Sequence, residues 1–498
     1  MFKSVALAFG VAALSVSAMA QDSGPLLDAL VKKGVLSDSE AEDIRVNLVK
    51  EYNSTSAGKL QISSFVKKLT LFGDARIRYQ WQDLQTPRGN ALTGVNPQIV
   101  DTYNNRYRYR LRAGATYTYD SHWSATVRLE TATANDSTNA DWGNYWDKNG
   151  ANDAIKVGQL FLDYKTKFTV LDETSTVPSG KSFTTVTDPG VTVGFNARIG
   201  RGPKQVYLEE AYWDPDLNPE GLATELTFDN VGVDGLSFAA RGAAYLTTNE
   251  TVTAPGATST SFQNSDDDGA LFIGQLEGKY AVTGGYFKGT EFRIAPLYMQ
   301  ETGAGNGGLN ATSSSSAGTA LVGSGPTAAA QGHLKVAALP VEASWKLWGY
   351  SNRAFATYGA NLDASGRIAD MYGPATAAVL HGNNTFWNVG YEFGKVKKQG
   401  DWAASAEYRY TEAAAYTPNL LESDFANDVL NQQGFILSAS YAITDAITVK
   451  GTYYHATPIQ STRSATDANA AITNAAYSGG TANAGSSDIL QADLVWKF

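Results

Sequence analysis

Four arginines stand at every second position of one stretch, Arg106, Arg108, Arg110 and Arg112. In an extended chain that spacing puts all four guanidinium groups on one face, about 7 Å apart. Like charges this close repel, so the face must look onto water or onto carboxylates. Arg76 and Arg78 share a face in the stretch before, and Arg128 with Glu130 in the stretch after. Arg198 adds a further cation on the same alternation later in the chain. The matching anions lie in one connection, residues 201–223, with Glu209, Glu210, Asp214, Asp216 and Glu220 among Tyr207, Tyr212 and Trp213. An acidic loop facing an arginine wall sets a transverse field, the chemistry of ion and solute selection in a pore. The plainer reading is that the arginines form ion pairs on a solvated wall and the loop stays outside.

Other candidates are weaker. Asp266, Asp267 and Asp268 offer hard oxygen ligands for a divalent cation, or simply a solvated loop tip. Trp142, Tyr145 and Trp146 can stack on a sugar or seat a loop in a neighbouring subunit. His122, His333, His381 and His455 are scattered and show no metal spacing. Gly180-Lys181-Ser182 lacks the upstream glycine of a phosphate-binding loop, since Ser stands at 175. There is no G-x-S-x-G, so an outer-membrane lipase or protease has no nucleophile to argue from. The expectation is a non-enzyme with no cofactor.

These residues must be positioned by strands. The chain ends L-Q-A-D-L-V-W-K-F, with Leu490, Ala492, Leu494, Trp496 and Phe498 on one apolar face and Gln491, Asp493 and Lys497 on the other. Leu69, Leu71, Gly73, Ala75, Ile77, Tyr79 and Trp81 alternate in the same way with Thr70, Asp74, Arg76, Arg78, Gln80 and Gln82. Between Tyr107 and Tyr119 the apolar face has tyrosines at both ends and small aliphatic groups between, the pattern of two interfacial girdles. A strand with one oily and one wet face is the unit of a closed transmembrane barrel. Further strands are expected near 123–129, 154–165, 190–200, 223–230, 235–247, 270–280, 290–300, 333–346, 353–361, 384–395, 401–412, 433–442, 446–455 and 487–498. That makes about sixteen, with Pro296 and Pro340 blurring two of them. The fold class is an all-β membrane protein, an antiparallel transmembrane β-barrel.

Before the barrel the period is different. Lys3, an apolar run from Val5 to Val16 and Ala18-Met19-Ala20 read as a secretory signal peptide (1–20) cleaved near Ala20. Over 21–58, Leu26, Leu27, Leu30 and Val31 recur at helical spacing, Gly34 interrupts, and Ser37–Glu40 is a capping box before Ala41, Ile44 and Leu48. This predicts a short periplasmic helical hairpin over 22–52: a stalk, an oligomerisation element or a cell-wall contact, or equally a small plug or cap without a partner. Residues 59–67 finish the linker, and 68–498 form the barrel. Removing 1–20 takes away Lys3 alone, leaving 38 basic and 49 acidic residues, net −11, which argues against nucleic acid as a partner. With no cysteine, disulfide frameworks and thiolate metal sites are excluded.

Two stretches carry a family resemblance, Leu69-Thr70-Leu71-Phe72-Gly73-Asp74-Ala75-Arg76 and Trp213-Asp214-Pro215-Asp216-Leu217-Asn218-Pro219-Glu220-Gly221-Leu222. With the signal and helical segment, the chain resembles the putative-porin family of Gram-negative bacteria. The resemblance implies a water-filled outer-membrane channel for passive diffusion of small hydrophilic solutes and ions, with 201–223 as the constriction loop. It also implies a homotrimer, and Trp496 and Phe498 as the signal read by the barrel-assembly machinery. A substrate-selective channel for sugars or anions, or a structural barrel tethering the envelope, are the alternatives.

Overall fold

The computed structural model describes residues 31–33, 67–88, 98–132, 138–142, 154–170, 173–179, 182–188, 190–247, 269–302, 333–372, 378, 382–426, 430–459 and 486–498. The chain divides into two compact units, Met1–Val66 and Lys67–Phe498. Of the first, only the helical turn at Val31–Lys33 is described, so the signal segment and most of the helical hairpin expected over 22–52 lie outside the described residues.

The second unit is a barrel of sixteen staves. They are β1 (Lys68–Arg88), β2 (Gln98–Thr118), β3 (Trp123–Ala132), β4 (Ala154–Val170), β5 (Val191–Arg201), β6 (Glu220–Asp229), β7 (Leu236–Leu246) and β8 (Ala270–Ala281). Next comes β9, in two pieces (Glu291–Ile294 and Leu297–Thr302), then β10 (Lys335–Leu347), β11 (Tyr350–Asn361) and β12 (Thr385–Gly394). The last four are β13 (Trp402–Thr411), β14 (Gln432–Ala442), β15 (Ile447–Pro458) and β16 (Ser487–Lys497). Each pairs antiparallel with its neighbours, and β16 returns to β1 from Asp74↔Lys497 to Leu84↔Ser487, closing the sheet. Closure leaves no strand edge, the condition for a sheet to cross a bilayer.

The faces are inverted relative to a water-soluble protein. Leu71, Ile155, Leu160, Leu276 and Tyr358 point outward and are 60–73% exposed, whereas Arg78, Gln80, Gln275 and Gln491 are 1–4% exposed inside. An apolar belt of that extent is stable only against lipid. No described helix is long and apolar enough to cross a membrane.

One end carries mostly short turns. At 119–122 the Asp120 carboxylate takes the backbone N–H of His122 and Trp123, both at 2.7 Å, which holds its pKa below the usual range. The other end carries the long connections, so it is the external one. β1 and β2 are each 21 residues long, roughly twice a spanning strand, so the pair projects beyond the bilayer. β9 breaks at Ala295-Pro296 directly beside Pro340 of β10; two prolines removing neighbouring donors cannot sustain a ladder there.

Sixteen staves stand where the period-2 pattern puts them. The sequence reading missed a separate two-stranded hairpin, Glu173–Ser179 with Ser182–Asp188, between β4 and β5. Gly180 and Lys181 lie outside the described residues. It also missed a short helix, α1 (Ala364–Tyr372), in the sixth external connection.

Candidate functional site

The connection 202–219 between β5 and β6, the third external one, folds into the barrel. It departs from a cross-strand glycine pair, Gly200 opposite Gly221, with φ of 120° and 153°. A Cβ at Gly200 would lie 2.3 Å from the Leu160 carbonyl oxygen, so the backbone can turn inward there only with glycine.

What holds the loop inside is a dry core. Val206, Leu208, Ala211, Tyr212 and Trp213 pack on inward residues of β7 to β10 (Tyr245, Leu271, Ile273, Leu297, Met299, Val336). The Tyr212 ring lies 4.5 Å from Phe386 and 5.7 Å from Tyr416, centroid to centroid. Tyr416 belongs to the seventh external connection, 412–431, which enters the lumen alongside the third. The two loops are clamped at Asp214: its N–H donates to the Leu420 carbonyl (2.8 Å) and its carboxylate accepts from the Ser423 N–H (3.1 Å).

The arginine face is real, and it is nearly all paired. β1 and β2 bring Arg76 opposite Arg110 and Arg78 opposite Arg108. Asp74, opposite Arg112, bonds Arg112 at 2.7 Å and Arg110 at 3.1 Å. Arg78 reaches Asp493 of β16 (2.7 Å) and Asp424 of the seventh loop (2.9 Å). Arg108 and Arg106 share Asp141 at 2.9 and 4.0 Å, and Arg128 bonds Glu130 at 2.7 Å. Arg198 is apart from this wall, bonded to Asp163 at 2.7 Å on β4. Arg76 alone of these eight has no described carboxylate at ion-pair distance; its Nη2 donates to Asn139 of the second external loop.

The five loop carboxylates go to different places. Asp216 meets the arginine wall, at 3.2 Å from Arg110 and 3.4 Å from Arg112, and accepts from Thr138 at 3.0 Å. Glu209 turns to the opposite wall and bonds Arg353 of β11 at 2.5 Å; Arg353 also holds Glu342 (2.8 Å) and Glu392 (2.9 Å). The Tyr207 hydroxyl donates to Glu342 at 2.6 Å. Burial pushes the Glu209 carboxyl above its usual range although Arg353 draws it back, and burial likewise raises Asp214. Glu220 is exposed in β6 beside Arg201 (3.4 Å), and Glu210 is exposed. Burial brings the Lys204 ammonium down to about 8.

The seventh loop's charges were not among the sequence-selected residues. Glu422 bonds Arg409 of β13, which also holds Glu407 at 2.9 Å. Burial lifts Glu422 to about 7 against the pull of Arg409. For Asp424 burial acts in the same sense, but Arg78 outweighs it and holds the carboxyl at about 2. A second network, Glu225–Arg241–Glu277–Arg293–Glu342–Arg353, follows the wall from β6 to β11. Its signal was readable, since these residues share the inward parity of their strands.

The weaker candidates scatter. Trp142 is exposed and stacks on Tyr107 at 5.7 Å on the outer surface. Tyr145, Trp146, His381 and Asp266–Asp268 lie outside the described residues. His122 sits in an exposed turn, His333 bonds Asp363 (3.0 Å) and His455 bonds Asp488 (2.8 Å). No group of three metal-type ligands occurs among the described residues.

A closed barrel with an apolar outer belt, a charged interior and an inward third loop defines an outer-membrane porin channel of bacteria. A family model described as putative porin matches residues 348–498. No curated protein matches the chain. Among solved structures, a mutant of the Rhodobacter blastica porin shares 10% identity over 86% of this chain and 100% of its own, with a TM-score of 0.35. Pseudomonas putida OprB shares 10% over 86% and 94%, with 0.42, and Salmonella typhi OmpF shares 13% over 88% and 99%, with 0.38. The class rests on the closed barrel and on the match over residues 348–498.

Proposed function

We propose that the channel passes small hydrophilic solutes and ions by passive diffusion, along the arginine face of β1–β3 and past the body formed by the third and seventh loops. The observation that carries this reading is Asp216 of the loop tip lying against Arg110 and Arg112. Opposite charges there make a fixed transverse dipole rather than a deep well of one sign, which suits transit better than capture. No bond is made or broken in the solute, so the protein acts as a channel and not as an enzyme.

Finer features belong to the same proposal. The apolar, half-exposed Trp496 and Phe498 fit recognition by the barrel-assembly machinery. The row Ala404, Ala439, Gly451 and Ala492, in register on the outer face, leaves room for a second barrel and supports a homotrimer. Cleavage near Ala20 and a cell-wall contact through 22–52 complete the reading. Liposome swelling tests it: uptake of neutral sugars should fall smoothly with size. Uptake of one sugar alone, with saturation, would favour a substrate-selective channel, and no swelling with any solute would favour the tether.

A further inference from the structure

The seven sequence-selected arginines of β1–β3 have six described carboxylates within ion-pair distance, Asp74, Glu130, Asp141, Asp216, Asp424 and Asp493. They are unevenly shared: Arg106 and Arg108 have Asp141 between them, and Arg76 has none. Arg78 and Arg110 are each tied to two carboxylates, whereas Arg76 between them bonds only the Asn139 side-chain oxygen. Its Nε is buried without a described acceptor, and no described acceptor takes Nη1. Arg76 is only half-buried on the inner face. Among the described residues its guanidinium is thus held by a neutral amide and by no carboxylate.

We propose that Arg76 is an anion subsite of this channel, taking a small monocarboxylate in transit at the Nη1 end of its guanidinium; the proposal rests on the channel reading above. A planar carboxylate matches a guanidinium in shape as well as charge, which chloride does not. Arg110 stands opposite Arg76 and Arg78 two positions along the same face, so an anion at Arg76 meets a positive wall. Asn139 is the positioning residue. It is 7% exposed and comes from the second external loop, so that loop fixes the subsite without touching the solute.

The mature protein in planar bilayers, under potassium acetate and potassium chloride gradients, tests this. The acetate-to-chloride permeability ratio should exceed the ratio of free mobilities, and R76Q should lower acetate permeability relative to potassium by about fivefold, the effect of one roughly water-screened charge contact. R76K keeps the charge without the planar edge, so it should retain chloride permeation and lose the acetate preference. Unchanged reversal potentials in R76Q, or in R76K should R76Q fail to form a heat-modifiable barrel, overturn the proposal. A second measurement needs no conduction: 19F line-broadening of 4-fluorobenzoate by the detergent-solubilised protein, expected for the parent and absent in R76Q. Equal broadening in both also overturns it. Broadening that depends on Arg76 in a chain that conducts nothing would keep the subsite and sink the channel reading.

Discussion

Trp213 decides whether the third loop stays in the lumen. Its side chain is 2% exposed, edge-on to Tyr245 at 6.0 Å, with the Lys204 ammonium 5.9 Å from its ring centre. Truncating a buried tryptophan to alanine costs about 3–5 kcal/mol. The Trp213 Nε1 has no acceptor among the described residues, so the tryptophan already carries a desolvation penalty and the lower end, about 3 kcal/mol, applies. That is a rise of roughly 150-fold in the population of the undocked loop. The chain has no cysteine, so a single engineered thiol reports without background. Ala211 and Val206 are 3% and 5% exposed, and A211C or V206C should react slowly with an impermeant maleimide. When reclosing outruns labelling, the rate follows the open population. W213A should therefore speed both thiols by about a hundredfold, provided the barrel stays heat-modifiable. Equal rates with and without Trp213 refute the account of docking by a dry core; acceleration at Ala211 alone means that the loop frays rather than undocks.

Two further outcomes follow from the seventh loop and the terminus. Glu422, lifted by burial to about 7 from roughly 4.3 when solvated, favours docking most below the solvated value and loses that contribution as pH rises through 7. Asp424, held at about 2, contributes above roughly 3.9 and loses that contribution only as pH falls through 2, so it is constant across this window. Labelling of L421C, divided at each pH by that of a fully exposed cysteine to remove the thiolate's own titration, should thus quicken from pH 5 to pH 8 and flatten in the L421C/E422Q double variant; a flat normalised profile without E422Q removes Glu422 as the cause. F498A keeps the backbone bonds between Phe498 and Gly73 (2.9 and 3.1 Å) but removes the ring lying over Gly73. It should reach the same final barrel yet insert more slowly into membranes with assembly machinery, and insertion at the parent rate would deny the ring a role in assembly.

The staves were legible because each needs only its own alternation and a turn residue, as with Asp120. The arginine positions were legible for the same reason. Their partners were not, since pairing depends on contacts far apart in sequence. Asp493 stands on the polar face of the last strand, but only closure of β16 on β1 sets it opposite Arg78. Asp424 and Arg353 could be assigned only once two loops were seen to enter. One signal was available and went unread. In β8, Leu271 and Ile273 are apolar on the face that should be wet, while Phe272 and Leu276 are apolar on the lipid side. A strand greasy on both faces in a barrel announces that something dry covers it from within.

That signal also orders the events at the site. Inward apolar groups on β7 to β10 cannot face a water-filled lumen without cost, so they draw in the apolar half of the third loop, Val206 to Trp213. Once those residues are seated, the remaining loop has no choice of wall. Glu209, on the near side of the aromatic pair, is delivered to Arg353, and Asp216, on the far side, to Arg110 and Arg112. The acidic loop is then less a free electrode facing an arginine wall than a strut pinned between two walls, with most of its charge consumed at its feet. A field in the conducting path must come from groups the strut leaves unmatched, and on β1–β3 the described contacts leave that role to Arg76 and to the Arg106–Arg108 pair, which shares one carboxylate.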